Sequence, residues 1–371
     1  MNSSVGITPR AADGRANPQV NTTPPTTPSA PPPPAPAGAP ILPIGAGRVT
    51  AVLAAYAHSL GAPFDYDDGP AITANPTIRR LWPLADVLRP PAEGGLTVSG
   101  RPVLHLSLVF NYTVSGTAVG SYPAVNLLTP AASALLRFGL MRRTLVRPGW
   151  RARYGDAAGG WAFIIATEWA LHPLQSQAVT YTVQRAESLM GFFDRLALYA
   201  FARGTAADSP EDARRRWLGG AVAACALGMG TNEVMATAPL LVCLYDCTFV
   251  AGSWRAAWRE RGGFYGALRA TWVLLAARVL STGGNRGGTV GFGVGVPRWA
   301  YPLTQFQAVA RYLQLALWPH PLVFEYGTFR VERPARWSRL PPSSCRWSPA
   351  PFSYWGENPR SAWPEPSASA F

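Results

Sequence analysis

Apolar and polar segments alternate along most of the chain. The apolar runs cover residues 41–60, 121–141, 160–180, 187–202, 216–231, 234–251, 264–282 and 301–319. Several of them approach the ~20 residues that a helix needs to cross a bilayer. Glycine and proline lie inside some runs, as at Gly228 and Pro239, and membrane helices tolerate both better than soluble helices do. The pattern predicts an all-α protein, a polytopic bundle of transmembrane helices.

The charged residues between the runs follow a regular order. Arginines gather in every second connection, namely Arg142, Arg143, Arg147, Arg151 and Arg153, then Arg203, Arg214, Arg215 and Arg216, then Arg255, Arg259 and Arg261. Acidic residues gather at the other ends of the runs. Multi-pass membrane proteins carry their basic residues in cytoplasmic loops, so the order predicts an integral, multi-pass membrane protein. The alternative is a soluble helical protein, which has no reason to alternate its charges in this way.

Three segments follow from these patterns. Residues 1–45 are rich in proline and alanine and are predicted to form a disordered extension without a signal peptide. Residues 46–330 are predicted to form the multi-helix transmembrane domain, with a first outer loop over 61–120. Residues 331–371 have neither apolar periodicity nor a 34-residue repeat. They are predicted to form an irregular tail, of the kind that a frameshifted reading frame would encode.

Composition changes this interpretation little. Charged residues make up 14% of the chain, against roughly 25% in soluble domains. The net charge is +13, and all 33 basic residues are arginine. That charge could indicate nucleic-acid binding, but no helix-turn-helix, zinc-finger or RNA-binding signature is present. Arginines that face anionic headgroups explain it better, so membrane lipids are predicted partners and nucleic acid is not.

The first outer loop contains a group of three carboxylates, Asp65, Asp67 and Asp68. Carboxylates this close raise one another's pKa, so one of them could serve as a base. Alternatively, the three could share a divalent cation through their oxygens. An ordinary Asp/Gly/Pro turn at the membrane surface is the third interpretation. Farther along the loop, Arg101 and His105 belong either to a site or to an amphipathic helix on the membrane.

A second polar stretch interrupts the apolar residues between 170 and 193. It contains His172, Gln184, Arg185 and Glu187. In a membrane protein this stretch would form the polar end of a helical hairpin, where ionisable groups usually mark a site. In a soluble protein it would be a loop between two helices. Polar residues at other predicted helix ends, Glu233 and Arg311, complete the candidates for substrate binding.

Several of these segments together resemble one protein family. They are FDYDDGPAITANPTIRRLWPL, SGRPVLHLSLVFNY, ALHPLQSQAVTYTVQRAESL, GMGTNEVMATAPLLVCLYD and RYLQLALWPHPLVFEYG. In this order they are similar to the bacterial membrane proteins with C-terminal tetratricopeptide repeats, relatives of the eukaryotic transmembrane and tetratricopeptide-repeat O-mannosyltransferases. The resemblance covers roughly residues 45–330. It implies a GT-C-type membrane glycosyltransferase in the bacterial inner (cytoplasmic) membrane.

The resemblance also implies roles for individual residues. Asp67 and Asp68 match the family's acidic pair, and Gln184, Arg185 and Glu187 match its QRxE block. The chain departs from the family at three points. Asn232 precedes Glu233 where the family usually has lysine, Asp194 replaces an apolar residue, and the remaining membrane helices and the repeats do not follow residue 330. The chain is therefore expected to be a truncated form.

The implied reaction transfers a sugar from a polyprenyl-phosphate donor to an acceptor hydroxyl, expected on a protein, at the outer face. Asp67 and Asp68 are the expected catalytic residues, with Asp68 as general base. Either Arg185 or Arg101 would stabilise the departing phosphate. Donor binding is expected to involve Arg101, His172, Gln184, Arg185, Glu187, Glu233 and Arg311. The alternative is a non-catalytic membrane protein, either a transporter or a scaffold, and truncation would favour an inactive form.

Overall fold

The computed structural model describes Gly6 and residues 41–65, 67–90, 97–282 and 300–323. Within these residues the chain forms helices and turns and no strand. The α-helices are α1 (Ile41–Tyr56), α2 (Leu84–Val87), α3 (Pro102–Ser115), α4 (Ser121–Leu145), α5 (Pro148–Tyr154), α6 (Ala158–Leu171), α7 (Ser176–Thr180), α8 (Arg185–Gly204), α9 (Glu211–Met229), α10 (Ala238–Phe249), α11 (Trp254–Ser281) and α12 (Ala300–Leu317). The predicted all-α class is confirmed for this part of the chain.

The structure describes only part of the three segments predicted from the sequence. Helix α1 begins at Ile41, inside the range 1–45 that composition assigned to an extension. Most of that extension and the whole tail 331–371 lie outside the described residues. The boundaries at 45 and 330 therefore stay predictions.

Each of the eight apolar runs contains a helix, but the helices differ in their capacity to span a bilayer. Among the described helices, α4 alone is long and apolar enough, with 25 residues and a mean hydropathy of 1.3 in its most apolar window. Helices α6 and α10 have 14 and 12 residues. At about 1.5 Å per residue both fall short of a hydrocarbon core of about 30 Å. A multi-pass bundle therefore stays a proposal.

Small side chains allow α6 to pack closely against α4. Ala162 and Ala166 are buried against Phe138 of α4, and Ala170 is buried beside Ala131. Such alanine faces let two helix backbones approach each other, which is a common way to join helices in membranes. Glycine acts similarly between α4 and α8, because a Cβ atom on Gly139 would lie 2.6 Å from the ring of Tyr199.

The arginine-rich connections meet at one end of the bundle. Arg147, after α4, donates hydrogen bonds to the carbonyl oxygen of Ala202 and to Thr205 at the end of α8. The guanidinium of Arg203 lies 4.9 Å from the ring of Trp217 in α9. These contacts bring the first two arginine clusters together, and their cytoplasmic location stays a prediction. We call this region the arginine-rich end.

One arginine of the third cluster has a different environment from the one predicted. Arg261 is buried, and it binds both carboxylate oxygens of the buried Asp246 at 2.8 Å. The hydroxyl of Tyr265 donates to the same carboxylate at 2.6 Å. At Arg261 the backbone leaves the helical conformation, with φ −132° and ψ 27°, so α11 is kinked there. Arg261 therefore joins α10 to α11 and does not face lipid headgroups.

Candidate functional site

The acidic segment of the first outer loop contacts the turn that precedes α8. Asp68 is only 1% exposed. Its Oδ1 accepts a hydrogen bond of 2.9 Å from the amide of Val183, and its Oδ2 accepts one of 3.3 Å from the amide of Asp65. Burial raises the pKa of the Asp68 carboxyl, and the hydrogen bonds from backbone amides oppose that rise. Asp68 therefore fixes the loop against the turn at residues 182–184.

Asp65 and Asp67 differ from Asp68, because both are exposed. The amide of Asp67 donates a hydrogen bond of 3.0 Å to the hydroxyl oxygen of Tyr181. Burial and the neighbouring negative charges raise the pKa of Tyr181 to about 12, so its phenol stays protonated at neutral pH. Of the predicted catalytic pair, Asp67 is thus the carboxylate that solvent can reach.

Arg185 lies at the centre of a buried polar network and is itself 1% exposed. It donates four hydrogen bonds, to Asn126 Oδ1 at 2.6 Å, Asn111 Oδ1 at 2.8 Å, the Tyr122 carbonyl at 3.1 Å and the Ser107 carbonyl at 3.3 Å. All four acceptors are uncharged. The guanidinium therefore connects α3, α4 and α8, and it is the residue that orders this end of the bundle.

Asn126 is the residue of this network that the sequence analysis missed. Its amide nitrogen donates to the carbonyl oxygens of Tyr181 and Thr182, at 3.3 and 3.2 Å, while its carbonyl oxygen accepts from Arg185. Asn126 is fully buried in α4. The available signal was a lone amide in α4, the described helix that is long and apolar enough to cross a membrane, where an unpaired polar group is costly. We call Asp68, Asn126, Arg185 and the turn 182–184 the loop-docking network.

A second polar group lies where α3, α8 and the end of α9 meet. The guanidinium of Arg101 and a carboxylate oxygen of Glu233 are 3.1 Å apart. Asn232 donates a hydrogen bond of 2.6 Å to the carboxylate of Glu187. The amide of Val103 in α3 donates a hydrogen bond of 2.9 Å to the carbonyl oxygen of Gly230, which follows α9. The structure therefore brings together three predicted donor-binding residues, Arg101, Glu187 and Glu233.

A small cavity borders this second group. It has a volume of about 10 Å³, which is close to the space that one water molecule needs. Ser99, Arg101, Asn232, Glu233 and Arg278 are among its lining residues. The buried hydroxyl of Ser99 has no hydrogen-bond partner in the structure. The cavity is too small for a sugar, so a sugar would have to bind outside it.

The remaining predicted residues have other surroundings. His172 accepts a hydrogen bond from the amide of Leu174 and lies 3.2 Å from the carbonyl oxygen of Ala316 in α12. Arg311 belongs to α12 and donates to the side chain of Gln314. Gln184 is half-buried in the turn before α8. Of these three residues, only Gln184 belongs to the loop-docking network.

His105 is buried in α3 and holds the first outer loop from a second position. Its Nδ1 donates to the carbonyl oxygen of Val87 at 2.8 Å, and its Nε2 lies 2.9 Å from the hydroxyl of Thr77. Burial lowers the pKa of His105, which favours the neutral imidazole. The segment forms helix α3, and His105 packs this helix against the loop; an amphipathic helix on the membrane stays a prediction.

The predicted divalent cation finds no assembled site in the described part of the chain. There, no three His, Cys, Asp or Glu residues come close enough to hold a metal ion. Asp68 uses both of its oxygens on backbone amides, while Asp65 and Asp67 are exposed. A cation shared by Asp65, Asp67 and Asp68 therefore stays a prediction.

Known relatives are protein O-mannosyl-transferases, and each is matched over part of this chain. Tmtc1 of Drosophila melanogaster is 35% identical over 138 residues, 36% of this chain and 15% of the relative. TMTC2 of Mus musculus is 32% identical over 157 residues, 41% of this chain and 18% of the relative. Tmtc2 of Drosophila melanogaster is 30% identical over 201 residues, 52% of this chain and 20% of the relative.

The matched part of the chain thus spans a fifth or less of the length of these relatives. No protein-family model matches the chain, and no solved structure matches it. The bacterial origin and the tetratricopeptide repeats that the sequence resemblance implied stay predictions. Over part of its length, this chain is similar in sequence to the protein O-mannosyl-transferases.

Proposed function

We propose that the chain is a membrane glycosyltransferase that transfers mannose from a polyprenyl-phosphate donor to a hydroxyl group of a protein. The names of its relatives support the mannosyl group and the protein acceptor. The observation that carries the proposal is the docking of the acidic loop onto the turn before α8, through Asp68 and Val183. This docking joins the two segments that the family resemblance identified separately, and it leaves Asp67 exposed beside them.

Asp67 is the proposed general base. The acceptor oxygen forms a bond to the anomeric carbon of the sugar while the bond from that carbon to the phosphate oxygen breaks. The proton of the acceptor hydroxyl passes to the carboxylate of Asp67, and polyprenyl phosphate leaves with the electron pair. Asp68, which is buried and bound to two amides, is proposed to position Asp67 and not to contact the acceptor.

The donor phosphate is proposed to bind beside Arg101. This guanidinium lies 3.1 Å from Glu233, and it belongs to the group that also includes Glu187. A fixed cation near the breaking bond stabilises the charge that develops on the phosphate. Arg185 is a positioning residue in this proposal, because four uncharged acceptors surround it. Roles for His172, Gln184 and Arg311 in donor binding remain part of the proposal without a contact that assigns them.

We further propose that residues 46–330 lie in the cytoplasmic membrane as a multi-pass bundle. Many outward-facing side chains are large and apolar, for example Leu128, Leu240, Leu244, Val273 and Leu313. The arginine-rich end and the loop-docking network lie at opposite ends of α8. Since α8 has 20 residues, these ends are about 30 Å apart, close to the thickness of the hydrocarbon core.

The same observations favour a second candidate, a membrane scaffold without catalysis. Asp68 and Arg185 are both buried in intramolecular hydrogen bonds, as in a purely structural network. The two candidates differ in the expected effect of replacing Asp67. Its carboxylate is exposed, so its replacement should leave a scaffold intact but should remove the activity of an enzyme.

The test replaces Asp67 with asparagine and measures the transfer of radiolabelled mannose from a polyprenyl-phosphate mannose to proteins in membranes that contain the chain. Loss of a general base should slow transfer by about 10²- to 10⁴-fold. Asp86→Asn is the matched control, because Asp86 is an exposed carboxylate of the same outer loop. Equal transfer in both variants would remove Asp67 as the base. No transfer above that of membranes without the chain would favour the scaffold.

A further inference from the structure

A cavity between α4, α8 and α10 contains charges that the proposed sugar transfer does not use. Its volume is about 460 Å³. Three charged residues line it, Arg137 of α4 and Asp194 and Arg195 of α8. Most of the remaining lining is apolar, and it includes Leu140, Met141, Leu198, Leu241, Leu244 and Phe249. The cavity thus combines a small charged region with an apolar wall.

The three charged side chains are incompletely partnered. None of the salt bridges among the described residues includes Arg137, Asp194 or Arg195. Three of their atoms are buried without a hydrogen-bond partner, namely Asp194 Oδ1, Arg137 Nε and Arg195 Nε. Buried polar atoms without partners are rare in native structures, and an unseen water or ion is a common explanation.

Trp169 of α6 gives the two arginines a partial compensation. The guanidinium of Arg195 lies 4.1 Å from the Trp169 ring, and that of Arg137 lies 4.8 Å from it. A ring face attracts cations, and the interaction is worth about 0.5–2 kcal/mol. The contact with Trp169 does not neutralise either arginine. Arg137 and Arg195 together with Asp194 therefore give the cavity a net charge of +1.

We propose that this cavity binds an anionic phospholipid, with the phosphodiester on Arg137 and Arg195 and an acyl chain along the apolar wall. A phosphodiester carries one negative charge and matches the net charge of the three residues. A small soluble anion would not use the apolar wall. The proposal rests on the membrane location of the chain and is independent of sugar transfer.

The position of the cavity indicates the leaflet that supplies the lipid. Arg137 precedes Leu145, the last residue of α4, by eight positions, which is about 12 Å along the helix axis. Helix α4 ends at the arginine-rich end, where anionic headgroups gather around basic residues. The lipid is therefore expected to come from the leaflet that faces the arginine-rich end.

Asp194 has a defined part in this proposal. Its carboxylate competes with the phosphate for the two guanidinium groups, so it limits the affinity for an anion. Replacing Asp194 with asparagine should raise the net charge of the cavity to +2 and tighten lipid binding by about tenfold or more. A purely structural role for Asp194 predicts no such gain.

The test measures binding of short-chain phosphatidylglycerol to the purified full chain in detergent, with phosphatidylcholine of the same chains as the zwitterionic comparison. We expect phosphatidylglycerol to bind, and Arg137→Gln and Arg195→Gln each to weaken its binding at least tenfold. Arg142→Gln is the control, because Arg142 is an exposed arginine on the same helix. Arg195→Lys keeps the charge and should retain binding even where Arg195→Gln unfolds the chain.

Several outcomes would overturn this inference. Equal binding of both phospholipids would show that charge is irrelevant, and unchanged binding in Arg195→Gln would remove the site. Tighter binding of polyprenyl phosphate than of phosphatidylglycerol would assign the cavity to the lipid of the sugar donor. If the chain resists carbonate extraction from membranes but binds no lipid, the lipid site is wrong and the membrane location stands. A chain that is extracted would contradict its membrane premise.

Discussion

Asp68 and Asn126 hold the same short turn through backbone atoms. The carboxylate of Asp68 binds the amide of Val183, and the side chain of Asn126 binds the carbonyl oxygens of Tyr181 and Thr182. A buried acceptor or donor that loses its partner costs about 1–3 kcal/mol. The turn, and with it the position of Asp67, therefore depends on side chains that do not themselves reach the solvent.

Asp68 should make stability depend on pH in a defined direction. Burial raises its folded-state pKa above the unfolded value of about 3.9. Between these two values the folded state binds more protons, so the stability from Asp68 is full below pH 3.9 and declines as pH rises through the raised pKa. Acidification across this window should stabilise the native chain relative to Asp68→Asn. The measurement is the melting temperature of both proteins at pH 4 and pH 7. If the two melting temperatures differ by the same amount at pH 4 and at pH 7, the raised pKa of Asp68 is contradicted.

The positions of the helices could be predicted from the sequence, whereas the contacts between helices could not. Each apolar run contains a helix because burial or lipid contact requires an apolar stripe of helical length, and such a stripe is visible in the sequence. The partners of Arg261 and Asn126 are not visible, because they depend on contacts across the bundle. The pattern therefore predicted Arg261 in a cytoplasmic loop, whereas it pairs with Asp246. The candidate site was predicted as separate segments, and their docking through Val183 required the fold.

The junction of α10 and α11 depends on the Asp246–Arg261 pair. Removing one partner of a buried ion pair leaves an uncompensated charge and typically costs about 3–5 kcal/mol. We expect Asp246→Leu to destabilise the chain by this amount in a denaturant titration. The double variant Asp246→Leu, Arg261→Met should recover much of the loss, since it buries no unpaired charge. An equal loss in single and double variants would show that the kink depends on the side-chain shapes and not on their charges.

At the scale of the whole molecule, the two ends of the bundle differ in their charged residues. The arginine-rich end includes Arg147 and Arg203, while the loop-docking network lies at the opposite end of α8. The alternation of arginine clusters predicted that the arginine-rich end is cytoplasmic, and this location stays a prediction. The sequence could not predict how many helices cross the membrane, because α8 and α9 contain charged residues and α6 and α10 are short.

The orientation of the chain can be measured with an impermeant thiol reagent. Ser209 follows α8 at the arginine-rich end, and Asp86 belongs to the first outer loop. In intact cells we expect the reagent to label a cysteine in Asp86→Cys and to spare one in Ser209→Cys, while broken cells should allow both. Cys225 and Cys243 are buried and Cys247 is half-buried, and labelling of the unsubstituted chain measures the background from these residues and from Cys345. The reverse pattern would contradict the positive-inside orientation.

Helix α8 takes part in the loop-docking network, in the charged cavity and in the arginine-rich end. Arg185 begins it in the loop-docking network, Asp194 and Arg195 line the cavity at its middle, and Arg203 lies near its end. A continuous helix transmits an axial shift along its whole length, so any occupant that displaces its middle also displaces the turn that holds Asp67. Linkage then requires reciprocity, and a donor bound at one end would change the affinity of the cavity by the same factor. In the proposed membrane orientation, a single helix would thus connect events in the two leaflets.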